Sequence, residues 1–182
     1  MLYLHRGRKS DVEIELNYLV NFKGFSTIVA PSAVLRKGQK AWYEVTFLKG
    51  SGYTQIGWAT NKFEEHKDYI NSGVGDDTHS WGFDGQRVGM WFNDKFESWG
   101  EKVAEDHVLG VAADLERGQL LFGVDGNWRD PMGVALYNLS EKSIYPALTG
   151  KDIKIAINFG CSDMKFGPPD ASFKKMIDVF SK

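Results

Sequence analysis

The chain has a single cysteine, Cys161, among 182 residues. That excludes an intrachain disulfide and a cysteine-rich zinc site, and a lone thiol fits a reducing compartment. Proline is scarce at five residues, so strands can run with few breaks. No run approaches the ~18 consecutive apolar residues of a membrane span, and the start, Met1 to Arg8, lacks the apolar segment of a secretory signal. A cytoplasmic protein without membrane insertion is the expectation. The net charge is only −2, so no global attraction to nucleic acid is expected. The charge is nevertheless uneven: residues 1–40 carry seven Lys/Arg against three Asp/Glu, whereas residues 61–106 carry five against eleven.

What the chain has in quantity is glycine (20 residues) and aromatics (14%) in a length that suits one domain. The dominant hydrophobic period is two. Ile153, Ile155, Ile157 and Phe159 alternate with Lys154, Ala156 and Asn158. Tyr43, Val45 and Phe47 alternate with Trp42, Glu44 and Thr46, and Val12, Ile14 and Leu16 with Glu13, Glu15 and Asn17. Each pattern predicts a strand with one buried face. Leu120, Phe122 and Val124 repeat it up to the turn dipeptide Asp125-Gly126, and Arg87–Phe92 follows a second, Asp84-Gly85. Further strands are expected at Ser26–Ala30, Thr54–Thr60, Ser80–Phe83, His107–Leu115 and Ile144–Leu148. Eleven or twelve short strands with no room for intervening helices predict an all-β antiparallel sandwich or barrel in a single domain, 1–182. One helix is expected over about residues 170–181, where Phe173, Met176, Ile177 and Phe180 fall at helical spacing after Pro168-Pro169.

Reactive constellations are thin. Asp76, Asp77 and His79 sit together, but adjacent carboxylates on a strand face opposite ways, so a turn bonded to its own amides is favoured over a metal site. His79-Ser80 suffers the same facing problem as a nucleophile pair, and no Gly-x-Ser-x-Gly elbow is present. The adjacent acids Glu64-Glu65 and Glu105-Asp106 do not suit a glycosidase, and Glu97 and Glu101 flank Trp99 in loop-like sequence. Neither catalysis, nor a metal, nor a cofactor is expected. Trp42, Trp81 and Trp91 are expected in packing. Trp99 and Trp128 keep open an alternative, a lectin-like sandwich that stacks a sugar on an exposed indole.

Several segments resemble the SPRY domain. They are Ala41-Trp42-Tyr43-Glu44-Val45, Gln55-Ile56-Gly57-Trp58-Ala59-Thr60, Gly73-Val74-Gly75-Asp76-Asp77 and Ser80-Trp81-Gly82-Phe83-Asp84-Gly85. Val108-Leu109-Gly110-Val111, Leu121-Phe122-Gly123-Val124-Asp125-Gly126, Tyr145-Pro146-Ala147-Leu148 and Ile157-Asn158-Phe159-Gly160 follow in the family's order. Together they cover about residues 24–167, with an N-terminal strand extension over 1–23. The Gly-Val-Gly-Asp-Asp and Phe-Asp-Gly pieces are most similar to the SPRY repeats of ryanodine receptors and of ubiquitin-ligase and RING-associated proteins. The resemblance implies a bent, concanavalin-like sandwich that does no catalysis. It also implies a monomer that binds a partner peptide, or neighbouring domains of a larger protein, through loops at one edge. Carried over by position, the contacts would be Phe25 in the early loop, Asn61, Phe63 and Tyr69 in the loop before the Gly-Asp segment, and Thr149, Gly150 and Lys151 in the last rim loop. That last loop is shorter here than in known peptide binders, which carry Val-Trp in it.

Overall fold

The computed structural model describes residues 1–16, 18–65 and 72–180. Sixteen strands are found among the described residues. The first eight are β1 (Tyr3–Arg6), β2 (Val12–Ile14), β3 (Leu19–Phe22), β4 (Ser26–Val29), β5 (Leu35–Arg36), β6 (Lys40–Gly50), β7 (Thr54–Ala59) and β8 (Ser80–Asp84). The others are β9 (Gly89–Phe92), β10 (Lys95–Ser98), β11 (Val108–Asp114), β12 (Gln119–Val124), β13 (Gly133–Leu136), β14 (Ser143–Gly150), β15 (Ile153–Asn158) and β16 (Lys174–Lys175). They form two sheets, in the orders β1-β4-β14-β7-β8-β9-β10 and β13-β12-β11-β6-β15-β3-β2. All pairings within these two orders are antiparallel.

The core lies between the sheets and is filled by the alternate residues that the period of two singles out: Ile153, Ile155 and Ile157 from β15, Tyr43, Val45 and Phe47 from β6, and Leu120 and Phe122 from β12. Opposite them β7 contributes Ile56 and Trp58, the latter fully buried. Tyr43 meets Trp58 edge to face at 5.3 Å between centroids, and its hydroxyl donates to the Gly57 carbonyl at 2.7 Å. The two sheets are therefore tied by a polar bond inside an apolar layer.

Turn chemistry closes the hairpins. Asp84 Oδ1 accepts from the Gln86 and Arg87 amides, and Asp114 Oδ1 does the same for Glu116 and Arg117. Asp125 and Gly126 both have positive φ, 49° and 78°, as a tight two-residue turn requires.

Two segments cover the outer faces. Residues 60–65 and 72–79 lie over the β1–β10 sheet, with Phe63 and Val74 buried on Val29, Ala59, Tyr145 and Ala147. The C-terminal segment runs over the other sheet, where Phe173 and Met164 join Trp42, Ala112 and Leu121. Glu44, buried in the middle of β6, fixes it there. Its two carboxylate oxygens accept the Lys165 and Phe166 amides, each at 2.8 Å.

Two expectations are corrected. The C-terminal helix α1 spans only Met176–Phe180, not 170–181. Lys174–Lys175 instead pair in parallel with Ala41–Trp42 as β16, because an open β6 backbone satisfies those amides directly. Of the apolar stripe, Met176 is buried and Phe180 packs against the core, joined there by Val179 from outside the stripe. Leu16 is not on a buried strand face. The strand ends at Ile14, and Leu16 is 99% exposed in the turn that leads to β3.

Candidate protein-interaction rim

The expected contact residues do not form one cluster. Ser26, Gly150 and Thr54 lie side by side at one end of the first sheet. Phe25 precedes this row and is half-buried, and Lys151 follows it and is exposed. Asn61 is exposed too, but it lies just past Ala59, at the opposite end of β7. Six strand residues at ~3.4 Å each set it ~20 Å from that row.

Phe63 and Thr149 have no surface to offer. Phe63 is fully buried, with the Arg6 guanidinium 4.1 Å from its ring centroid and the His5 ring at 5.1 Å. Thr149 is 1% exposed; its hydroxyl shares a 2.8 Å bond with that of Thr27 and accepts the Val74 amide at 2.9 Å. Thr149 and Gly150 are the last residues of β14, not a loop. Gly150 is also buried, and a side chain there would strike the Phe22 ring at 2.4 Å. The physical reason is common to all three: residues 60–65 and 72–79 and the strand pairing occupy the space that a rim loop would leave open. Tyr69 lies outside the described residues.

Two residues at this end were not anticipated. Tyr53 is 46% exposed beside Lys151, whose amide donates to the Tyr53 carbonyl at 3.0 Å. Arg87, its side chain 34% exposed, lies with its guanidinium 4.4 Å from the Tyr53 ring centroid and 4.8 Å from that of Trp91. Arg87 Nε donates to the buried Asp84 carboxylate at 2.5 Å, which fixes the plane of the fork. Both stacking contacts are of the cation–π kind. The signal was present in the sequence: β7 pairs with β8, so the residue before Thr54 must sit beside the turn after Asp84.

Alongside lies the turn 73–79. Asp76 accepts from the Gly73 amide at 2.5 Å and from Gln55 Nε2 at 2.7 Å. Burial nevertheless holds its pKa above the ordinary carboxylate value. Asp77 Oδ1 accepts the His79 amide and the Ser80 hydroxyl. These carboxylates thus build the turn, and backbone bonds from Asn93 and Asp94 dock it on the β9–β10 hairpin. No three His, Cys, Asp or Glu side chains among the described residues converge as a metal site would require.

The two indoles set aside for a sugar are packing groups. Trp99 meets Phe83 edge-on at 5.6 Å and Phe122 at 6.1 Å. Trp128 meets Trp42 edge-on at 6.4 Å, and its Nε1 donates to the Gly167 carbonyl at 3.0 Å. Among the described residues no helix is long and apolar enough to cross a membrane.

The sandwich has known counterparts. The SPRY domain of human HERC1 superposes with a TM-score of 0.66 at 12% sequence identity, over 84% of this chain and 94% of that one. By sequence, the chain is 29% identical over 151 residues to the Drosophila melanogaster ATP-dependent RNA helicase Ddx1 (81% of this chain, 19% of that protein). It is 32% identical over 142 residues to the Arabidopsis thaliana E3 ubiquitin-protein ligase RKP (74% and 10%), and 28% identical over 123 residues to human heterogeneous nuclear ribonucleoprotein U-like protein 2 (65% and 15%). It spans a fifth or less of the length of each of these three relatives. Residues 40–162, well over half of the chain, match the SPRY domain model, and the protein belongs to the SPRY domain family.

Proposed function

We propose that this SPRY domain is a non-catalytic protein-interaction module that engages a partner peptide, or a neighbouring domain of a longer polypeptide, through the rim at Phe25, Tyr53, Arg87 and Lys151. The observation that carries the reading is the Tyr53–Arg87–Trp91 stack. It is an exposed ring and a charged fork held in a fixed orientation by Asp84 at one end of a rigid sheet. Such groups lose little rotamer freedom on binding, so more of the contact energy appears as affinity. Tyr69 belongs to the same proposal as a further contact, whereas Asn61, in a 3-10 turn at the opposite end of β7, would meet only a partner that spans the ~20 Å between it and that rim; cytoplasmic placement and a monomeric state complete the proposal.

The test is selection of peptides from a displayed random library on the purified domain. Selected peptides should lose at least about tenfold in affinity to a Tyr53→Ala, Lys151→Glu double variant whose melting temperature is unchanged. Tyr69→Ala should weaken them as well. Undiminished binding by the double variant would place recognition elsewhere on the molecule.

A further inference from the structure

The outer face of the second sheet is covered over only part of its length. The C-terminal segment lies on it at the Trp42–Glu44 end. Towards the other end of β6 the face is open, and there the strand register sets an unusual row. Lys49 of β6 stands directly opposite Lys154 of β15, Lys154 opposite Asn21 of β3, and Asn21 opposite Glu13 of β2. Ile153, Ile155 and Phe22 point into the core, so Lys154 and Asn21 point outward; a bulge at Leu48 of β6 breaks the alternation after Phe47 and sets Lys49 opposite Lys154, exposed on the same outer face.

Glu13 is already engaged. It takes the Lys23 ammonium on Oε1 and the Asn21 amide at 3.2 Å on Oε2. Among the described residues neither Lys49 nor Lys154 has a carboxylate within ion-pair distance. Lys23, Lys49 and Lys154 instead surround a shallow concavity of about 420 Å³, with Asp152 on its border. Like charges directly opposite on adjacent strands destabilise a sheet, and a bound anion removes that cost.

We propose that this concavity docks an acidic, extended peptide segment of a protein partner, with one carboxylate between Lys49 and Lys154 and another towards Lys23. The site is separate from the Tyr53–Arg87 rim and does not depend on it. A nucleic acid suits the surface less well. Glu13 and Asp152 interrupt the positive field that a continuous phosphate backbone needs. Phe22 is buried, so it offers no ring on which a base could stack, and the net charge of −2 gives no long-range attraction to a polyanion.

The test is fluorescence anisotropy on the full chain with three labelled probes: a peptide of roughly ten residues alternating Glu with Val or Thr, its Gln-for-Glu twin, and an oligouridylate of similar length. The Glu peptide should bind at least about tenfold more tightly than its twin at about 50 mM salt, and the gap should narrow towards about 500 mM. Lys49→Gln with Lys154→Gln should remove that preference, whereas Lys95→Gln, on the far edge of the other sheet, should leave it intact. Lys154→Gln alone should melt no lower than the unaltered protein, because it relieves a repulsion. Failure of the Glu peptide to bind, equal binding of both peptides, retention of the preference by the double variant, or tighter binding of the oligouridylate would each overturn the proposal.

Discussion

The Arg6 guanidinium both covers the Phe63 ring, at 4.1 Å, and donates through Nη2 to the Phe63 carbonyl at 2.9 Å. Its Nη1 reaches the Ser72 carbonyl at 3.3 Å. One side chain on the N-terminal strand therefore bonds both Phe63 and Ser72 and holds these two residues on the sheet. Burial lowers the pKa of Arg6, and Asp77 and Asp76 oppose that shift.

Arg6→Met keeps much of the apolar contact but leaves two carbonyls without their donor. At about 1–3 kcal/mol for the buried Phe63 carbonyl and about 1 kcal/mol for the part-buried Ser72 carbonyl, a loss of about 2–4 kcal/mol is expected. For a chain of this size that is a fall in melting temperature of roughly 5–15 °C. Arg6→Lys should recover only part of the loss, since one ammonium does not span both carbonyls. Hydrogen exchange should accelerate in residues 72–79 before it does in β11 and β12. Uniform acceleration would show that Arg6 supports the whole fold instead.

The carboxylate of Glu44 does for the C-terminal segment what Arg6 does for Phe63 and Ser72. Glu44→Gln turns one of its two acceptors into a donor facing a backbone N–H. A cost of about 1–3 kcal/mol is expected, felt mainly as release of residues 160–173. Limited proteolysis should show new cleavage there while the β6–β11–β12 strands stay intact.

These two residues also mark how far the sequence could be read. The period of two located the strands because burial in β15 does alternate, with the isoleucines inside and Lys154, Ala156 and Asn158 half-buried. In β6 it does not: Trp42, Glu44 and Thr46 are buried as well, beneath a segment more than a hundred residues away in the chain. A local pattern holds no information about such a cover. Phe63 and Thr149 are buried for the same reason: Val74 packs with Phe63 in one cluster and donates its amide to Thr149, contacts that no local pattern shows. Tyr53 and Arg87 were legible in principle. Their meeting follows from pairing β7 with β8, whereas the contact positions that the family resemblance implies lie in other segments. The helix shortened because β-pairing with Ala41–Trp42 won over an apolar stripe that fits either structure.

Gly110 and Gly123 form the floor on which Trp128 lies. A Cβ on Gly110 would meet the indole at 2.6 Å, and one on Gly123 would meet it at 2.8 Å. Gly110→Ala must therefore push the ring off the sheet and break its bond to Gly167. A destabilisation of about 1–3 kcal/mol is expected, with tryptophan fluorescence shifted to the red. Trp128→Ala in the same background should add little, because the contact is already lost. Full additivity of the two changes would show that the indole is not seated on Gly110.

Asp76 allows a check on pH. Its pKa is raised in the folded chain, chiefly by burial, so the native state holds its proton more tightly than the unfolded state does. The sign follows: stability falls as pH rises from the ordinary aspartate value through the higher folded value, and is level above that. Asp76→Asn cannot titrate. Its Nδ2 still meets the Gly73 amide or Gln55 with the wrong polarity, so the variant should be less stable than the unaltered protein at every pH. The difference between them should be greatest below about pH 4, where Asp76 is protonated in both states, and smallest near pH 7, where the charge is unfavourably buried. Chemical denaturation of both proteins from acid to neutral pH measures this difference directly. A gap that instead widens as the pH rises would mean that the bonds from Gly73 and Gln55 outweigh burial, and that the carboxylate stabilises the turn as an anion.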